Sequence, residues 1–332
     1  MPQPNYKMIV WRIIIVLVLA PVHLVTADIG REAKPPAKPD FTYISPNFSV
    51  REQGSCLHGT RVWIYSPQIP KSDPTDAIVY LHGFGITSPD FYEGHIEHLV
   101  KQGNYVIYPQ MQEGSCEIFR GKLLGWAVQL SQRSSPARWV KRAGEVVTEA
   151  LDSLPSVGKV FLYGHSMGGA FAMMWGSLNT VDPIEAAVVA SPQPAGFSAI
   201  PGIITTLFFF RFGEDIDVPE AAPSTTFPIA VIHGNDDTIA SEQDILPSYE
   251  ALGSTSKAWY QAQSDKHGHP SLSADHIQPL AKRREARQDS FDWRFTWSAL
   301  DQVIGGTAVT DLGFDMGQWS DGVPVKSAVK LY

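Results

Sequence analysis

The chain has 332 residues, of which 44% are hydrophobic and 18% charged, and its formal net charge is −8 at pH 7. This composition is typical of a globular protein large enough for one large α/β domain or two small ones. An acidic chain offers no basic face to phosphates, which excludes nucleic acid as an expected partner.

The amino terminus has the pattern of a secretory signal peptide. Basic residues precede the apolar run 13–20, and the sequence VTA at 25–27 supplies small residues before a cleavage site. The run is shorter than the ~20 residues that span a bilayer. We predict a signal peptide over residues 1–27, cleaved after Ala27, and a secreted or periplasmic protein. The alternative is an uncleaved signal anchor at the membrane.

Export determines how the two cysteines are interpreted. In an oxidising compartment, Cys56 and Cys116 are predicted to form one disulfide, and two free buried cysteines are the alternative. The sequon at Asn47 becomes a glycan only in a host that glycosylates.

Residues 28–45 are rich in proline, lysine and alanine, and predict a linker that has no core of its own. The folded domain is expected to extend over 46–332.

Apolar runs of strand length recur along this domain. They are 61–65, 77–81, 105–108, 159–163, 186–190, 228–232 and 258–262. A helix is predicted over 90–102, with Ser88-Pro89 at its start and Gly103 at its end, and another from Pro136 to Leu154. This alternation predicts a mostly parallel sheet with helices on both faces.

One segment interrupts the alternation. Residues 193–227 contain the apolar stretch 202–212, followed by an acidic, proline-rich stretch. Such an insertion is either a cap over an apolar pocket or a helix packed on the body. We expect a small cap.

The sequence GHSMGG at 164–169 lies between the apolar run 159–163 and the small, apolar residues 170–175. A G-x-S-x-G between a strand and a helix is the pattern of a nucleophile elbow, whose glycines permit a turn tight enough to expose the serine oxygen. The alternative is a glycine-rich loop without chemistry. We predict that Ser166 is a catalytic nucleophile.

A serine nucleophile requires a histidine that accepts its proton and a carboxylate that orients the histidine. The sequence HGNDDTI at 233–239 follows a predicted strand and offers two adjacent acids. We predict that Asp237 is the catalytic acid, because its H-G-x-x-D spacing from His233 places a carboxylate in the site. Asp236 is the alternative.

The catalytic base is predicted to follow the next strand, since ligands bind at the carboxyl ends of parallel strands. We expect His267, which comes a short loop after that strand and is followed by Gly268. His269 and His276 are the alternatives.

Backbone N–H groups must also stabilise the oxyanion of the reaction. The sequence HGFG at 82–85 follows the predicted strand 77–81, and its glycines let the backbone turn inward. The expected donors are the N–H groups of Met167, next to the nucleophile, and of Phe84.

Two groups of histidines in the sequence could be metal ligands. His95 and His98 are three residues apart on a predicted helix, but no third ligand is near, so a surface face is expected. The histidines at 267, 269 and 276 could hold zinc, which is a rarer arrangement. We predict no metal site.

The motifs HGFG, GHSMGG and HGNDDTI, with the HG at 267–268, resemble those of the α/β-hydrolase superfamily over roughly residues 60–280. Among its branches the chain is most similar to exported serine esterases of the dienelactone hydrolase, cutinase-like and platelet-activating-factor acetylhydrolase kind. The resemblance implies an α/β fold with a mostly parallel central sheet, helices on both faces and a small cap. It also implies an acyl-enzyme intermediate and no cofactor. The tail over 305–332 resembles no segment whose role we can assign. It is expected to pack after a closing helix.

The function expected from these features is that of a secreted serine hydrolase that cleaves small-molecule or lipid-like carboxylic esters. One alternative is an acyltransferase, amidase or peptidase with the same triad, because a triad does not identify the leaving group. Another is a non-catalytic binding protein with a hydrolase fold.

Overall fold

The computed structural model describes residues 33–112, 135–178, 183–194, 216–281 and 288–332. Within these residues, nine strands form one sheet. In chain order they are β1 (Phe48–Gln53), β2 (Val62–Pro67), β3 (Thr75–Leu81), β4 (Tyr105–Pro109), β5 (Val157–His165), β6 (Ile184–Ala190), β7 (Ile229–Gly234), β8 (Lys257–Ala262) and β9 (Val329–Lys330). Across the sheet their order is β1-β2-β4-β3-β5-β6-β7-β8-β9.

The six central strands run parallel to one another, and in sheet order they are β4, β3, β5, β6, β7 and β8. In contrast, β1, β2 and β9 pair antiparallel with their neighbours. The parallel strands are apolar and mostly buried, as expected for strands covered on both faces. The seven predicted strands are confirmed as β2 to β8. The sequence does not predict β1 and β9, because β1 is largely exposed and polar and β9 has only two residues.

Helices cover both faces of this sheet. The α-helices are α1 (Glu93–Lys101), α2 (Pro136–Asp152), α3 (Met167–Met173), α4 (Val218–Ala221), α5 (Glu242–Ala251) and α6 (Trp297–Ile304). Buried side chains of α2, α3 and α5 pack with Val79 and Leu162 of the sheet in one core. Those of α1 and α6 pack with Ile78 and Phe161 in the other. Neighbouring strand residues therefore point to opposite cores.

Both predicted helices are present, but the histidines of the first are not on a surface face. A short 3-10 helix (Pro89–Tyr92) precedes α1, and Gly103 follows it with φ 94°. His95 and His98 are almost fully buried, with 2% and 1% of their surface exposed. The surface expectation is wrong because α6 packs on α1, and His95 stacks on Trp297 with ring planes 7° apart.

The described part of the expected linker, residues 33–45, contacts the carboxy-terminal part of the chain. The carbonyl oxygen of Ala33 accepts a hydrogen bond from the N–H of His269. The N–H of Lys34 donates to Ser320 Oγ at 2.9 Å. The tail over 305–332 is packed, since Trp319 is buried and β9 pairs with β8.

The expected cap lies only partly within the described residues. Residues 195–215, which include its apolar stretch, lie outside them, as do the predicted signal peptide and Cys116. The described end of the segment contains α4, whose Val218 packs in the core shared by α2, α3 and α5. Asp217 caps α4 by accepting a hydrogen bond from the N–H of Glu220 at 3.0 Å. In the part of the chain that the structure describes, no helix combines the length and apolarity needed to cross a membrane.

Candidate active site

Ser166 occupies the turn between β5 and α3, with φ 55° and ψ −117°. A positive φ is unfavourable for a residue with a side chain and is retained only where the surroundings enforce it. A Cβ on Gly164 would lie 2.3 Å from the carbonyl oxygen of Gly168, and one on Gly168 would lie 2.2 Å from that of Leu81. Both positions therefore require glycine, and the turn has the tightness expected of a nucleophile elbow.

A histidine and an aspartate continue from the serine in a hydrogen-bonded series. Ser166 Oγ lies 2.8 Å from His276 Nε2. On the other side of the ring, His276 Nδ1 lies 2.8 Å from Asp237 Oδ2. Because a carboxylate only accepts, Nδ1 carries the proton and Nε2 is free to accept from the serine hydroxyl. This is the arrangement that a serine nucleophile and its base require.

Asp237 is held in the loop after β7. Its Oδ1 accepts hydrogen bonds from the N–H groups of Ile239 and Ala240, at 2.9 and 2.8 Å. Burial by itself would raise the pKa of Asp237, but the hydrogen bond and charge of His276 and the N–H of Ala240 outweigh it and lower the pKa below its usual value. Asp237 is thus ionised at neutral pH, and the neighbouring Asp236 is exposed.

The histidine in contact with the serine is His276, which corrects the expectation of His267. After β8 the chain makes an excursion that is closed by paired backbone hydrogen bonds between Asp265 and Leu272. His267 lies in the excursion, where its Nε2 is 2.8 Å from Asp321 Oδ2 in the tail. His269 also lies there, and only the returning segment brings His276 to Ser166.

The sequence contained no local signal for this choice. His276 stood among the alternatives, but three histidines share one polar segment, and the pairing at Asp265 joins residues that no motif links. The segment that returns to the serine packs closely on Gly234 at the end of β7, where a Cβ would lie 2.1 Å from the carbonyl oxygen of Ala274. The Asp236 N–H also donates to that oxygen.

The loop HGFG at 82–85 lies directly beside the elbow. A Cβ on Gly83 would lie 3.3 Å from Ser166 Cβ, so the loop contacts the serine. Phe84 belongs to this loop, and Met167 is the first residue of α3. Met167 therefore adjoins the serine along the backbone, Phe84 belongs to the loop that contacts it, and the role of both as oxyanion donors stays a prediction. Burial lowers the pKa of His82 to about 4, so its ring is neutral where it contacts the Gly83 carbonyl oxygen.

Comparison with known protein families decides the assignment. The model of the alpha/beta hydrolase family matches residues 78–308. The chain belongs to the alpha/beta hydrolase family. The match includes the end of β3, all of β4 to β8 and all three members of the Ser166–His276–Asp237 series.

Solved structures similar to this hydrolase include Est1E from Butyrivibrio proteoclasticus. It is 15% identical, with a TM-score of 0.44, over 69% of this chain and 90% of Est1E. A cold-adapted esterase from an Arctic intertidal metagenomic library is 16% identical, with a TM-score of 0.45, over 69% of this chain and 87% of the esterase. No curated protein matches the chain. The family match alone carries the assignment.

Two further predictions from the sequence concern the cysteines and possible metal ligands. Cys56 is buried, and Cys116 lies outside the described residues, so the Cys56–Cys116 disulfide stays a prediction. Among the residues that the structure describes, no group of three or more His, Cys, Asp or Glu side chains is arranged to hold a metal ion.

Proposed function

We propose that this hydrolase cleaves carboxylic esters through an acyl-enzyme on Ser166, with His276 as the base and Asp237 as the residue that orients it. The observation that carries the proposal is the series of two 2.8 Å contacts from Ser166 Oγ through the imidazole to Asp237. A serine in such a series becomes nucleophilic, because its proton has an acceptor.

In the first half of the reaction, Ser166 Oγ attacks the ester carbonyl carbon while its proton passes to His276 Nε2. The carbonyl oxygen becomes an oxyanion, for which the N–H groups of Phe84 and Met167 are the proposed donors. The C–O bond to the alcohol then breaks, and the proton on Nε2 goes to the leaving oxygen. Asp237 stabilises the imidazolium formed in between.

In the second half, water attacks the acyl-enzyme and gives its proton to His276 Nε2. Collapse of the second oxyanion releases the carboxylic acid, and the proton returns to Ser166 Oγ. The cycle uses only groups of this chain and water, so the proposal requires no cofactor. A carboxylic ester is the substrate class proposed here, and the acyl and alcohol groups are left open.

Fluorophosphonate labelling tests the nucleophile. We expect stoichiometric labelling of the wild type, mapped to Ser166 by mass spectrometry, and none in Ser166→Ala. Ser248→Ala is the matched control, because Ser248 is also buried but lies on α5. Labelling that survives Ser166→Ala contradicts the proposal. Rates on matched esters and amides, with and without an added alcohol, then separate hydrolysis of esters from amidase and transferase activity.

We also propose that the hydrolase is exported, on the basis of the charged and apolar pattern of residues 1–27. Expression in an exporting host should give a mature protein that begins at Asp28, as read by amino-terminal mass spectrometry. A mature protein that retains residues 1–27 in the membrane fraction would favour the signal anchor instead.

A further inference from the structure

Two buried side chains, Tyr92 and His165, adjoin the Ser166 series without belonging to it. His165 directly precedes Ser166, and its ring is 1% exposed. His165 Nε2 lies 2.9 Å from the carbonyl oxygen of His276. His165 Nδ1 lies 2.8 Å from Tyr92 Oη, which in turn lies 3.0 Å from the backbone nitrogen of Gly83.

The proton positions in this chain of hydrogen bonds follow from its two ends. The carbonyl oxygen of His276 can only accept, so His165 Nε2 carries the proton and donates it. His165 Nδ1 is then an acceptor, and the Tyr92 hydroxyl donates to it. The N–H of Gly83 can only donate, and Tyr92 Oη accepts from it. Every donor in the chain therefore has an acceptor.

This series of hydrogen bonds joins three segments, each of which lies at or after the end of a different strand. Gly83 belongs to the loop after β3, His165 ends β5, and His276 lies on the segment that returns after β8. These are the segments that carry a proposed oxyanion donor, the nucleophile and the base. Tyr92 and His165 therefore connect the three parts of the site whose relative positions catalysis depends on.

The hydrogen bonds that link Gly83, Tyr92, His165 and His276 persist at neutral pH. Burial, followed by the nearby charge of His276, lowers the pKa of His165 to about 3. His165 therefore stays neutral when His276 takes up the serine proton, and it keeps accepting from Tyr92. A protonated His165 would lose that bond and repel the imidazolium beside it.

We propose that Tyr92 and His165 are positioning residues that fix the loop of Gly83 and Phe84 and the backbone of His276 relative to Ser166. Neither side chain is proposed to touch the substrate. The inference rests on the proposed ester hydrolysis at Ser166, and it adds residues that the Ser166–His276–Asp237 series does not include.

Tyr92→Phe tests the hydroxyl, with Tyr80→Phe as the matched control. Tyr80 is also a fully buried tyrosine bonded to a histidine, with Oη 3.1 Å from His95 Nδ1, but its histidine does not reach Ser166. We expect Tyr92→Phe to lower kcat by about 10- to 100-fold with KM within about twofold, because a misplaced donor weakens transition-state binding. Tyr80→Phe should lower the melting temperature by a similar amount and leave kcat unchanged.

His165 gives a second test that does not depend on the folding of Tyr92→Phe. A glutamine amide supplies both an acceptor for Tyr92 and a donor for the His276 carbonyl, whereas leucine supplies neither. We expect His165→Gln to retain most of the kcat that His165→Leu loses. The double variant Tyr92→Phe/His165→Leu should be no slower than the slower single variant.

A wild-type kcat for Tyr92→Phe, an equal loss of kcat in Tyr80→Phe, or equal kcat values for the two His165 variants would overturn the inference. Failure of the proposed function is a separate result, because it is seen as the absence of Ser166 labelling and ester hydrolysis in the wild type.

Discussion

Within the part of the chain that the structure describes, a hydroxyl, an imidazole and a carboxylate are hydrogen-bonded in series at two places. At the first, Ser166 and Asp237 each lie 2.8 Å from a nitrogen of His276. At the second, Tyr43 Oη lies 3.0 Å from His98 Nδ1, and Asp301 Oδ2 lies 2.8 Å from His98 Nε2. Judged by residue types and distances, both series could move a proton.

Their surroundings differ. Burial and the negative charges of Asp301 and Glu97 raise the pKa of Tyr43 to about 12, so its phenol stays protonated at neutral pH. The His98 ring packs between Phe41 and Trp297, with ring centroids 4.5 and 4.9 Å away. The Tyr43–His98–Asp301 series holds the segment 33–45 against α1 and α6.

Ser166, by contrast, lies in a turn that only glycines permit, beside the backbone of the HGFG loop. A hydrogen-bonded series by itself does not make a catalytic nucleophile. A catalytic nucleophile also needs donors placed for the oxyanion. This distinction between the two series can be tested by substitution.

The largest expected difference is between His276→Ala and His98→Ala. Loss of the proposed base should lower kcat/KM for ester hydrolysis by about 10⁴-fold or more. His98→Ala should keep kcat/KM within about twofold, but lower the free energy of unfolding by about 1–3 kcal/mol because it leaves two half-buried partners unbonded and removes a buried ring packed on Trp297. Initial rates and denaturant titrations measure both. If His98→Ala loses activity as His276→Ala does, the distinction is wrong.

The carboxylates of Asp237 and Asp301 give the next largest expected difference in kcat. In Asp237→Asn, the amide faces His276 Nδ1 with its N–H₂ group, because the oxygen position that receives the Ile239 and Ala240 N–H groups still requires an acceptor. The proton then moves to Nε2, and kcat should fall on the order of 10³–10⁴-fold.

Asp301→Asn is the control for Asp237→Asn, since its carboxylate is bonded to the other histidine. Its kcat should match the wild type. Steady-state kinetics of the two variants, with circular dichroism to verify folding, decide the result. Equal kcat values in Asp237→Asn and Asp301→Asn would contradict a special role for Asp237.

The smallest expected effect is on how the stability of the protein depends on pH. It concerns His95, which stacks on Trp297 near His98. Burial, and then the charge of His98, lowers the pKa of His95 well below its usual value of 6.5. The unfolded chain takes up a proton on this residue below pH 6.5, while the folded protein does not. Stability is therefore lost as pH falls, by about 1.4 kcal/mol per pH unit from this group.

His95→Phe removes that group and should reduce the slope of unfolding free energy against pH between about pH 6 and 4. Phenylalanine keeps a flat ring against Trp297, and kcat at pH 7 should not change. Denaturant titrations at a series of pH values measure the slope. An unchanged slope would mean that His95 does not remain neutral in the folded protein.

Much of the fold could be predicted from the sequence. The central strands are continuous apolar runs because helices cover both faces of the sheet, so their pattern is visible locally. β1 and β9 carry no such pattern. The burial of His95 and His98 was also missed, because it depends on α6, which lies about 200 residues later in the chain.

The candidate site divides in the same way. The turn at Ser166 needs glycines within a few residues of the serine, and Asp237 follows its strand within a short loop, so the sequence by itself determined both. The choice of His276 was decided by tertiary structure, because the tail contact of Asp321 and the pairing of Asp265 with Leu272 hold His267 away from the serine. Tyr92 also reaches the site only through tertiary contacts, with Gly83 and His165. Local geometry is encoded in neighbouring residues, whereas the position of a loop depends on the distant segments packed against it.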